Sequence, residues 1–182
     1  MKGIVFVEFV DMVEKTFSEE TAFKMITNSN LPSGGAYTAV GTYEFSEMQQ
    51  MIGQLSELTQ MSVKDLIQAF GKHLFDVFKV KYPAFFEDVK NSFDLLLQVH
   101  DVIHVEVKKL YPDAELPDFE YEQPDSNTLN MVYTSTRRLS ALAEGLIQAS
   151  IDHFDEPVEM KIEALPDTEA GAEQVRFTLV RS

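Results

Sequence analysis

The sequence predicts an α+β fold, with a helical N-terminal subdomain and a C-terminal subdomain of antiparallel sheet and helices. Three observations carry this. Apolar residues recur at helical spacing through residue 110, the period changes to alternation at "TLNMVYTS", and two more alternating segments flank a turn-forming "PDTEAGAE". One domain is expected over 1–182, divided into a helical part, 1–60, and an α+β part, 61–182.

Val5, Phe9 and Met12 fall on one side of a helix expected from about Gly3 to Phe17, with Glu8, Asp11 and Glu14 off that stripe. Those acidic residues break the apolar start, and no small-residue cleavage site follows, so it reads as a helix of the mature protein. Ser18 suits the N-cap of a short second helix. It should stop near Asn28, where "NSNLPSGGAY" gathers turn-forming residues. "EFSEMQQMIGQLSELTQ" reads as a third helix. Ser62 and Asp65 form a capping box for a fourth, Val63 to Tyr82, whose stripe of Leu66, Phe70, Leu74, Val77 and Phe78 ends at Pro83.

The longest helical pattern is expected from Glu87 to Leu110, with Phe93, Leu97, His104 and Val107 on one side of the cylinder. His104 therefore points toward the core. "YPDAELPDFEYEQPDSN" reads as a connection, after which a strand, a helix from Leu139 to Phe154, and the strands "VEMKIEAL" and "QVRFTLV" complete the chain.

Thirty acidic against 15 basic residues give a formal net charge of −15, which repels phosphate backbones and anionic lipid, so neither nucleic acid nor membrane is an expected partner. No run of about 18 apolar residues is present to span a bilayer. The absence of cysteine excludes disulfides, thiolate metal sites and cysteine nucleophiles, and suits a reducing, cytoplasmic location. No catalytic constellation is visible, so an enzyme is not expected.

His100 and His104 are one helical turn apart, a spacing that lets two imidazoles share zinc. A zinc hydrolase would want Glu beside the first histidine, where Asp101 stands, and a third ligand. A histidine on an apolar face is also commonly a packed core residue. His73 and His153 read as surface or packing residues.

The stretch "HVEVKKLYPDAELPDF", the motif "YTSTR" with Tyr133, Ser135 and Arg137, the "MKGI" start, "AFGKHLF" and "LAEGLI" together resemble the heme-nitric oxide/oxygen binding (H-NOX) family over the whole chain. The resemblance implies heme b between the two subdomains. It makes His104 the axial ligand to iron, and Tyr133, Ser135 and Arg137 the holders of the propionates. Pro117 then matches a family proline that presses on the heme, although a plain turn residue reads equally well. The chemistry agrees, because a flat apolar disc with two carboxylates needs an apolar slot, one axial base and anion donors.

Gas selectivity follows from the other side of the slot. In O₂-binding relatives a tyrosine after the propionate motif donates to bound O₂; the matching position here is Leu142. Val5, Phe9, Leu74, Phe78 and Leu146 match neighbouring pocket positions and are also apolar, which ordinary core packing would equally explain. Tyr37 and Tyr43 could reach in from their loop. The resemblance thus implies a sensor of NO and CO that disfavours O₂ and signals to a separate histidine kinase or diguanylate cyclase. The alternatives are the zinc hydrolase on His100 and His104 and a heme-free interaction module.

Overall fold

Four amphipathic helices open the chain: α1 (Gly3–Thr16), α2 (Glu19–Asn28), α3 (Phe45–Thr59) and α4 (Val63–Lys81). Their starts follow cap chemistry. The Ser18 hydroxyl accepts from the Thr21 N–H at 3.0 Å and the Ser62 hydroxyl from the Asp65 N–H at 3.1 Å, each satisfying an amide with no partner inside its helix. The inward faces build a first apolar cluster from Phe6, Phe9, Met12 and Val13 of α1, Ala22 and Met25 of α2, Met48, Met51, Ile52 and Leu55 of α3, and Leu66, Phe70 and Leu74 of α4. Fully burying one such large side chain is worth about 1.5–3 kcal/mol, against about 1 kcal/mol for a cap. Packing therefore fixes this half, and the caps set its boundaries.

The computed structural model describes all residues, 1–182, and corrects two expectations. The helix expected from Glu87 begins later, as α5 (Ser92–Gln98), after a single 3₁₀ turn at Pro83–Phe85. Asn91 is the cause: its Oδ1 accepts from the Asp94 N–H at 3.0 Å while its Nδ2 donates to Asp94 Oδ2 at 2.9 Å, a reciprocal cap that stops the helix from extending back. The helix then widens into a π turn over Val99–Ile103 and closes as α6 (His104–Leu110).

The second correction is a strand. "DFEYEQPD", expected as part of a connection, is β1 (Asp118–Asp125), paired antiparallel with β2 (Thr128–Ser135). Phe119 and Tyr121 alternate with exposed Glu120 and Glu122, and Pro117, just outside the strand, withholds no hydrogen bond from the ladder. β3 (Val158–Leu165) and β4 (Glu173–Arg181) form the expected hairpin, and the sheet order is β1-β2-β4-β3. Leu129, Met131 and Tyr133 of β2 and Val175, Phe177 and Leu179 of β4 lie opposite one another in register and build the second apolar cluster, joined by Phe93 and Leu96 of α5.

α7 (Ser140–Phe154) belongs to both clusters. Its Leu142 and Leu146 pack on the first; Ala143, Ile147 and Ile151 belong to the second. It crosses α4 at very close range: a Cβ on Gly71 would stand 2.4 Å from the Leu142 carbonyl oxygen, and one on Gly145 2.2 Å from that of Gln68. Only glycine permits this approach. No helix is long and apolar enough to cross a membrane.

Candidate functional site

His104 opens α6 directly after the π turn, a local widening that recurs at functional positions. Burial pushes its imidazole down to about 4, with His100 and Lys108 acting in the same direction and Asp118 opposing. The ring is neutral at pH 7 and keeps a lone pair for a metal ion. Its neighbour is Phe119 of β1, 6.1 Å away between centroids, and Phe119 in turn meets Tyr133 at 5.7 Å. The strand absent from the sequence reading thus connects His104 to the sheet.

At the end of β2, Tyr133 is only 2% exposed, and burial pushes its phenol up against the opposing pull of Ser135 and the Leu139 N–H. Its oxygen accepts from the Leu139 N–H at 3.0 Å, and the Ser135 hydroxyl accepts from the Arg137 N–H at 3.2 Å. Each hydroxyl accepts from backbone, so its proton is what it offers an anion. Arg137 Nη2 donates to Glu115 Oε2 at 2.6 Å, and its guanidinium stands 5.9 Å from the Phe45 ring of α3. A cavity of about 160 Å³ is lined by Glu115, Leu116, Asp118, Ser135 and Arg137. Ser135 and Arg137 therefore share one cavity, while Tyr133 sits in the second cluster beside it. Pro117 is half-buried between two residues that line the cavity.

The six apolar candidates gather in the other half. Phe9 and Leu74 are members of the first cluster, and Val5, Phe78, Leu142 and Leu146 pack against it. Both loop tyrosines are committed elsewhere: Tyr37 donates to Glu47 at 2.9 Å, and the Tyr43 oxygen accepts from the Thr38 N–H at 2.9 Å. The His100 and His104 rings are 6.5 Å apart, and no carboxylate or further histidine joins them as a third ligand. Glu115, Phe119 and Phe45 are site neighbours that sequence reasoning missed; only Phe119, through its alternation with Tyr121, left a signal there.

His73, expected at the surface or in packing, faces Glu8 and Asp11 of α1, and His153 packs among Phe75, Phe86 and Phe154.

The decisive comparison is with protein families. A family model described as Haem-NO-binding matches residues 2–162. The chain belongs to the H-NOX family. It is 40% identical to the Fe(II) unliganded H-NOX protein from K. algicida, with a TM-score of 0.91 over 100% of this chain and 97% of that one. The H-NOX protein from Shewanella woodyi, solved in the Fe(II)CO state with IWP-051 bound, is 36% identical, with a TM-score of 0.82 over 100% and 95%. That from S. oneidensis in the Fe(II)NO state is 28% identical, with a TM-score of 0.83 over 100% and 99%. No curated protein matches the chain. H-NOX domains form a family of heme-based gas sensors, and this chain is such a domain.

Proposed function

We propose that this H-NOX domain is a ferrous heme b sensor that binds NO and CO, disfavours O₂, and signals to a separate histidine kinase or diguanylate cyclase in the cytoplasm. The relatives solved with NO and CO are in line with this reading. When bound, ferrous heme supplies an open coordination position for a diatomic gas.

The chain's own residues fit such a group. His104, neutral at pH 7, would be the base that holds the iron. Arg137 already holds a carboxylate, that of Glu115, and it takes the propionates together with Tyr133 and Ser135 by charge-assisted bonds. Pro117, half-buried between two residues that line that cavity, would pack against the group. Residues 1–60 serve as the distal subdomain and 61–182 carry the cofactor.

The observation that carries the selectivity is the makeup of the first cluster. Bound O₂ is polar and gains from a hydrogen-bond donor, whereas NO and CO need none. Leu142 and its five companions offer no donor, and both loop hydroxyls spend their protons elsewhere, Tyr37 on Glu47 of α3 and Tyr43 on the Ala36 carbonyl oxygen. The zinc-hydrolase reading lacks a third ligand, and the heme-free reading conflicts with the family.

The test is to reduce the loaded protein under argon, record its absorption spectrum and admit air. We expect oxidation without a stable oxy spectrum, and shifts of the Soret band on adding NO or CO. Leu142→Tyr should begin to hold O₂. A long-lived oxy complex in the natural protein contradicts the reading.

A further inference from the structure

On the side of α1 away from its apolar stripe, Glu8 and Asp11 stand one turn apart and face His73 of α4. His73 Nε2 lies 3.6 Å from Glu8 Oε2 and 3.7 Å from Asp11 Oδ2. These distances are too long for hydrogen bonds. Yet Nε2 is shielded from solvent and has no hydrogen-bond partner, an uncommon state for a buried polar nitrogen. Ligand atoms from all three residues lie within 4.8 Å of one another. Donors about 2.0–2.1 Å from one tetrahedral centre stand roughly 3.3 Å apart. The two His73 distances, 3.6 and 3.7 Å, are a few tenths of an ångström wider than that, so a small side-chain shift turns these donors toward a common ion.

We propose that Glu8, Asp11 and His73 bind a divalent transition-metal ion of the zinc class. Two carboxylates balance its charge, and an imidazole selects against calcium and magnesium, which prefer all-oxygen shells. The Glu8 side chain is 8% exposed, and its other oxygen, Oε1, accepts from Lys81. Lys81 thereby holds Oε2 toward His73, as outer hydrogen-bond partners hold metal-ligating carboxylates. Asp11, 35% exposed, gives the ion its entrance. Its Oδ2 also accepts from Lys15 at 2.7 Å, but that is an exposed pair within one helix and costs little to give up. Three protein donors leave a coordination position for water.

The site lies apart from His104 and does not rest on the heme reading, but it has a consequence for it. Glu8 precedes Phe9 on α1, and His73 precedes Leu74 on α4. An ion held there ties together the two helices that present these apolar side chains.

The test uses the full-length, heme-loaded protein, freed of other metals by a chelator and titrated with Zn²⁺ against a chromophoric competitor. One Zn²⁺ per chain is expected. Asp11→Asn and His73→Gln should each weaken binding by more than about a hundredfold, beyond what loss of an outer partner causes, whereas His153→Gln leaves it unchanged. X-ray absorption at the zinc edge, which iron does not disturb and which needs no variant, should show one imidazole among oxygen donors. If His73 instead bridges the carboxylates as an imidazolium, no stoichiometric uptake occurs and the proposal fails. It fails equally if either ligand variant retains the natural affinity, if His153→Gln abolishes uptake, or if the zinc spectrum shows two imidazoles.

Discussion

α4 and the helical run from Ser92 to Leu110 are equally long, and each carries a histidine, but they are held in opposite ways. α4 is regular from its Ser62 cap onward and buries Leu66, Phe70, Gly71, Leu74 and Phe75 along most of its length. The second run buries Ser92, Phe93, Leu95 and Leu96 near its Asn91 cap, then passes through the π turn and buries nothing from Val99 to Leu110. Val102, Val105 and Leu110 are exposed there. One helix is scaffold along most of its length; the other is anchored at one end and lightly held at the end that bears His104. Segments with few buried contacts open at low free-energy cost, so the proposed cofactor ligand sits on a lightly held part of the fold.

Breaking the well-held helix should cost most. Phe70 meets Phe9 edge to face at 5.1 Å inside the first cluster, so Phe70→Ala should lower unfolding free energy by about 3–5 kcal/mol. Chemical denaturation measures this. On the other run a smaller truncation, Val105→Ala, should stay within about 0.5 kcal/mol because Val105 is exposed.

The next effect belongs to His104 itself. Its folded value of about 4 lies below the ordinary 6.5, so the unfolded chain binds the extra proton first. In the heme-free protein this contribution to stability is fully present above pH 6.5 and is lost as pH falls toward 4, a change on the order of 2–3 kcal/mol. Unfolding midpoints across that window should fall less steeply in His104→Gln than in the natural chain.

At the α4–α7 crossing, Gly145→Ala drives a methyl into the Gln68 carbonyl and should cost about 1–3 kcal/mol by displacing one helix from the other. A smaller effect is expected from Asn91→Ala, about 1 kcal/mol for the lost cap. Hydrogen exchange sharpens the contrast here: the amides of α5 should lose protection while those of α4 keep theirs.

What could be read from the sequence follows the same divide. α1 to α4 and α7 announce themselves because each has a sustained apolar stripe with a marked end, such as Ser62 or Pro83. The start of the His104 run is not legible because Phe86, Val89 and Phe93 imitate a helical face across the Asn91 cap. β1 was hidden because its short Phe119–Tyr121 alternation is flanked by Pro117 and Pro124. His104, Tyr133, Ser135 and Arg137 could be named from a family resemblance. The Glu115 partner of Arg137 and the grouping of Glu8 with His73 depend on tertiary approach, which no local pattern encodes.

The central claim is that the lightly held run, through His104, anchors the cofactor, while His73 on the scaffold helix does not. The most direct test expresses His104→Gly and His73→Gln with a heme precursor and reads the Soret absorbance per chain, with and without added imidazole. The account predicts that His104→Gly loads heme only when imidazole is supplied and that His73→Gln loads normally without it. Full heme loading of His104→Gly in the absence of any added base would contradict it.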